Sequence, residues 1–131
     1  MITVNQIYSY IEAAVNTTAR PVYCAAVRVN APNSFPACYI IEDSHSFVRQ
    51  NVTINFNDTP LSRNFTVEIF SNKRVNALSE AREIMDDVEI AMKQLGFIET
   101  FCGQVDNADP SIIRIVGRFT RVCGDNDTIT T

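Results

Sequence analysis

Apolar residues recur at helical spacing in two stretches of the chain and alternate like a strand through much of what lies between. Near the start, Ile7, Tyr8, Ile11, Ala14, Val15 and Thr18 share one side of a helix, while Ser9, Glu12 and Asn16 fall on the other. Thr3 and Gln6 stand at capping-box spacing, each able to satisfy a backbone donor that the first turn leaves open, with Ile2 and Ile7 as a hydrophobic staple. Arg20-Pro21 should stop this helix, because the residue before proline is driven out of helical backbone. The second helix has the stronger pattern. Leu78, Ala81, Ile84, Met85, Val88, Ala91, Met92 and Leu95 lie on one arc at about 100° per residue, with every intervening charge outside it. Gly96 suits the left-handed position after the last turn, with Phe97 reaching back toward Met92 in a Schellman end.

Residues 22–27 and 37–42 read as apolar strands on either side of the turn-rich Asn30, Pro32, Asn33 and Ser34, a spacing that predicts a hairpin. From 43 to 64 the composition shifts to Asn, Ser, Asp and Thr. That predicts mobile loops around one short strand, in which Val52, Ile54 and Phe56 alternate with Thr53 and Asn55. Phe65, Val67 and Ile69 alternate more clearly with Thr66, Glu68 and Phe70. Two further strands are expected over 97–102 and 112–122, antiparallel across a loop at 106–110, with Gly117 marking a bulge. The fold class is therefore α+β: a single antiparallel or mixed sheet of five to six strands with two amphipathic helices packed on one face. It is expected as one domain over 1–123, followed by a flexible C-terminal tail over 124–131 that has too little apolar surface to be held by packing.

Composition narrows the function classes. With 131 residues, 46% apolar and 20% charged, the chain is neither disordered nor fibrous, and no apolar run approaches the roughly 20 residues that cross a bilayer. A formal charge of −4 argues against nucleic acid or an anionic membrane as partner, since both are bound through excess Lys and Arg. The start, Met1-Ile2-Thr3-Val4-Asn5, lacks the basic and apolar regions of a secretion signal, so synthesis and retention in the cytosol are expected, and the Asn-x-Thr triplets at Asn51 and Asn64 carry no glycosylation reading. Cys24, Cys38, Cys102 and Cys123 contain no close pair of the zinc-clamping kind and read as small buried hydrophobes in or beside strands. His45, between Ser44 and Ser46, lacks the orienting carboxylate and oxyanion hole that a nucleophile would need, and reads as an exposed loop histidine. No phosphate-cradling glycine loop is present, and Glu80, Glu83, Asp86 and Asp87 read as a solvated helix face. No catalytic residue, metal or cofactor is expected. A small cytosolic enzyme is the alternative from another class, and a deep pocket with convergent, perturbed titratable groups would be its mark.

Surface patterning carries the remaining signal. On the last strand Arg114 and Arg118 share a face with Ile112, Val116 and Thr120, while Ile113, Ile115, Gly117 and Phe119 face the helices. Glu68 lies on the corresponding outward face of its own strand, so it can pair with either arginine within the chain, or those arginines can reach another subunit. Ile90 sits apolar among Glu83, Asp86, Asp87 and Lys93 on the outside of the second helix. An acid-bearing helix and an arginine-bearing sheet face on one chain suggest a subunit that contacts its own copies heterologously, an arrangement that builds rings or filaments.

The segment 79–85 leading to Leu95-Gly96-Phe97, followed by Ile112-Ile113-Arg114-Ile115-Val116-Gly117-Arg118-Phe119, resembles the tail-terminator and tail-completion (neck) proteins of long-tailed bacteriophages. The likeness is best over 64–122. It implies a structural subunit forming a ring, typically a hexamer, that caps the tail tube, stops its polymerisation and provides the head-docking surface. The implied partners are itself, the tail tube protein and a head-completion (neck) protein, and the implied location is the head–tail neck of a virion assembled in a bacterial cytoplasm. A head-completion or stopper protein on the portal side is the alternative within the same junction. The resemblance implies no catalytic residue. Candidate inter-subunit contacts from patterning are Arg114, Arg118, Glu68, Glu83, Asp87 and Ile90, and Glu42, Asp43, Ser44 and His45 are the candidate partner loop.

Overall fold

The computed structural model describes residues 3–27, 32, 34–47, 61–107 and 109–123. The expected strand at 52–56 and the expected tail at 124–131 lie outside them. Helix α1 (Val4–Val15) begins at the expected capping box, with the Thr3 hydroxyl accepting from the Gln6 N–H at 3.2 Å and the Gln6 side chain accepting from the Thr3 N–H at 2.8 Å. It ends at Asn16, so Thr18 lies beyond it, while Ile7, Ile11 and Val15 are fully buried. Helix α2 (Ala77–Gln94) buries Ala81, Ile84, Met85, Val88, Ala91 and Met92, the arc read from the sequence. Gly96 closes it with a φ of 84°, and the Phe97 N–H donates to the Met92 carbonyl at 2.9 Å while Gly96 donates to Lys93 at 3.0 Å, which is the complete Schellman arrangement.

Five strands, β1 (Tyr23–Ala25), β2 (Ala37–Phe47), β3 (Leu61–Ser71), β4 (Ile98–Val105) and β5 (Ile113–Cys123), form one mixed sheet in the order β1-β2-β3-β5-β4. Together with the helices they make an α+β fold. The expected hairpin of 22–27 with 37–42 is not formed: β1 runs parallel to β2, with Tyr23 opposite Ala37 and Cys24 opposite Cys38. The Tyr23 N–H donates to the Pro36 carbonyl at 3.0 Å at the start of this parallel pairing, which the eleven residues between the strands are long enough to allow where a tight hairpin turn would not. The polar stretch 43–64 also differs from expectation, at both of its ends. Strand β2 continues through Phe47 past a bulge between Glu42 and Ser44, and β3 begins at Leu61, each supplying the other's backbone partners. Glu42, Asp43, Ser44 and His45 are therefore strand residues, not a loop. Ladder hydrogen bonds do not require apolar side chains, which is why a polar strand hid in an Asn- and Ser-rich stretch.

The main core lies between the helices and the sheet, where Cys38, Ile40, Phe65, Val67, Ile69, Ile115 and Phe119 meet both helices. Phe65 and Phe97 pack edge to face at 5.6 Å between ring centres. Gly117 faces Met85 and marks no bulge. A Cβ there would stand 2.9 Å from the Phe119 ring and 3.0 Å from the Met85 sulfur, so the glycine is what lets α2 seat on β5. The bulge of this strand pair lies on β4, between Glu99 and Phe101. Across the outward face, Ala37, Tyr39 and Phe70 form a second buried cluster with Phe35, Ile41 and Ile112 packed against it.

Candidate functional site

The outward face is closed over β2 and β3 but opens toward β5 and β4. There it forms a concavity of about 390 Å³ lined by Asp43, Thr66, Glu68, Phe101, Val105, Arg114, Val116 and Arg118. The register explains the grouping. Thr66 lies opposite Arg118 and Phe101 opposite the same arginine on the other side, so one row crosses three strands, while Phe70, Arg114 and Val105 form the next but one. Alternation puts all of these side chains on the side away from the helices.

The two arginines of this face have different roles. Arg114 donates from Nη2 to Glu68 Oε1 at 2.7 Å, and the Glu68 side chain is 1% exposed, so this is a sequestered, charge-assisted pair within the chain. Glu68 therefore reaches Arg114, one of the two intrachain partners that strand alternation left open to it. Arg118 is exposed, and its guanidinium carbon lies 5.8 Å from the centre of the Phe101 ring. Asp43 lines the same concavity and accepts a hydrogen bond from the Thr66 hydroxyl. Beyond Arg118 the face carries bare apolar groups: Ile98 is 68% exposed, Phe101 45% and Val122 52%. Ile98 is registered against Thr120, so these groups surround one end of the β4–β5 pair.

On the opposite side of the molecule, α2 turns Glu83, Asp86 and Ile90 outward, with Ile90 57% exposed. Asp87, on the same stripe, is engaged by Arg20. At the end of the sheet, Glu42 sits between Arg63 at 2.6 Å and His45 at 2.8 Å. His45 is exposed, as expected, although it stands on a strand.

Sequence reading missed a groove between α2 and β4. It is lined by Arg82, Met85, Asp86, Glu89, Cys102, Gly103, Gln104 and Ile115, with a volume of about 280 Å³. Ligand atoms of Glu89, Glu99 and Cys102 lie within 4.8 Å of one another. Hydrogen bonding to Glu99, aided by partial burial and the nearby Asp86, raises the Glu89 pKa to about 7. Partial burial, with the Glu89 and Glu99 charges, raises the Cys102 thiol to about 11. The signal for this groove was weak, because α2 and β4 meet only after the Schellman end has reversed the chain. Of the four cysteines, Cys38 and Cys123 are buried as expected, Cys24 is half-buried, and Cys102 is exposed on β4. Cys24 and Cys38 are strand neighbours, and the hydrogen bond between them holds the Cys24 thiol below its usual range and Cys38 well above it.

The chain matches no family model and no curated protein. Solved structures that it is similar to include two components of phage-like particles and injection machines. One is a chain of the virion of a native gene transfer agent particle, at a TM-score of 0.57 and 13% identity, over 90% of this chain and 91% of that one. The other is a sheath/tube terminator of an extracellular contractile injection system in the extended state, at a TM-score of 0.48 and 9% identity, over 100% of this chain and 61% of that one. The first likeness establishes a shared fold.

Proposed function

We propose that this chain is a structural subunit of a phage-like tail, a terminator whose copies close into a ring, six-membered in the family it resembles, on the end of the tail tube. The ring ends tube growth by occupying the site that the next tube subunit would take, and its other side receives the head through a neck protein. The observation that carries this reading is a pair of unlike exposed surfaces, an arginine-and-aromatic sheet face and an acid-bearing helix, on opposite sides of one fold. Such a subunit can bind a neighbour on each side, and ring closure adds many individually weak contacts at once. The fold shared with a gene transfer agent virion chain supports a particle component, and the likeness of 64–122 to tail terminators supports the specific role. No chemical step is required.

Electron microscopy of particles made without this protein tests the proposal. Overlong or headless tails are the expected result. Tails of normal length that are capped and joined to heads would overturn it. Purified protein that binds the portal side and ignores isolated tubes would move the assignment to a head-completion protein.

A further inference from the structure

We infer that the open end of the outward sheet face, built by Ile98, Phe101, Arg118 and Val122, docks a second copy of this chain through the outer stripe of α2, with Glu83, Asp86 and Ile90 as the complementary residues. The inference rests on the self-assembly in the proposed function and names the surfaces that carry it.

Three observations select the occupant. The composition of the sheet patch is that of an interface centre, an arginine held against an aromatic ring and bordered by exposed aliphatic side chains. Its charge is available. Of the two carboxylates lining the same concavity, Glu68 is paired with Arg114 and Asp43 accepts from the Thr66 hydroxyl and keeps its charge, and among the described residues Arg118 forms an ion pair with neither. The same chain carries the complement. On α2, Glu83, Asp86 and Ile90 recur at helical spacing, so two carboxylates stand beside one exposed apolar side chain. Asp87 belongs to this stripe but is held by Arg20, which removes it from the set. A partner presenting acid next to an aliphatic group fits Arg118 next to Phe101 and Ile98 in both charge and polarity, and a second copy of this chain is such a partner.

The test is sedimentation velocity on the full chain at low salt, from about 5 to 500 µM, with Arg118→Glu, Glu83→Arg/Asp86→Arg and the triple charge swap. The wild type should associate. Each single-face variant should weaken association by about tenfold or more, with an unchanged melting temperature because the altered side chains are exposed. The triple swap, with the signs exchanged, should recover most of the lost affinity. Phe101→Ser serves as a charge-neutral variant and should weaken association as well. Wild type that associates while both single-face variants associate equally well would overturn these surfaces and leave the self-assembly reading standing. Wild type that stays monomeric both alone and with purified tubes would overturn that reading and the inference with it.

Discussion

Arg114 and Arg118 are four residues apart on one strand face and look interchangeable in sequence, yet the residues across the sheet separate them. Arg114 reaches the carboxylate of Glu68, which has almost no exposure of its own, whereas Arg118 lies over Phe101 at the surface. Truncating Arg114 leaves a sequestered charge without its main partner, a more expensive loss than removing an exposed side chain. Arg114→Ala is therefore expected to lower unfolding free energy by about 2 kcal/mol in urea titrations, and Arg118→Ala to change it by less than about 0.5 kcal/mol. Equal losses in the two variants would show that the Glu68–Arg114 pair does not set them apart. Within the list of residues read from the sequence, this assigns Arg114 and Glu68 to holding the sheet together, and Asp87 to holding the segment after α1. Arg118, Glu83 and Ile90 remain exposed and available for the proposed contact.

At the scale of elements, what the sequence made legible followed from periodicity and caps. The capping box at Thr3, the buried arc of α2 and the Gly96 end each need only local residues, and each forms as read. The misreadings concern partners distant in sequence. Whether β1 and β2 run parallel depends on the path of the link between them and not on either strand. The strand at Asp43 to His45 is polar because its side chains are exposed, and it is held by the ladder to β3. The α2–β4 groove was hard to see because its two elements, although consecutive, face each other only once the chain has reversed at Gly96, and it has a measurable consequence. Glu89 faces Glu99 and Cys102 on β4 and Asp86 on its own helix, with Arg82 at the edge of the groove, and its pKa rises from 4.5 to about 7. Between those two values the folded chain holds a proton that the unfolded chain has released. The stability due to this proton is complete below the lower value and disappears as pH rises through about 7. Glu89→Gln is expected to flatten the melting temperature between pH 5 and 8, and at pH 8 to raise it by about 2 °C over wild type. A slope identical to that of wild type would show that Glu89 does not retain the proton.

For the whole molecule, the decisive feature is that the two proposed contact surfaces lie on opposite sides of the fold. The sheet patch faces away from the helices, and the acid-bearing stripe is the outer side of the helix layer. Two surfaces so placed cannot satisfy each other within one symmetric pair, so the contact is heterologous and each copy keeps one surface open until a ring closes. This gives a test of arrangement that is independent of affinity. Arg118→Glu spoils the sheet patch but keeps a working helix stripe, while Glu83→Arg/Asp86→Arg spoils the stripe and keeps a working patch. Each variant alone is expected to be monomeric. Mixed in equal amounts, they should associate alternately, because the unaltered stripe of one meets the unaltered patch of the other and the two altered surfaces that remain carry exchanged signs and match as well. Native mass spectrometry of the mixture should therefore show mixed oligomers holding the two variants in equal numbers, and no homodimers of either variant. An isologous contact, in which the same patch meets itself, would instead leave the variant that keeps that patch forming homodimers alone and gaining nothing from the mixture.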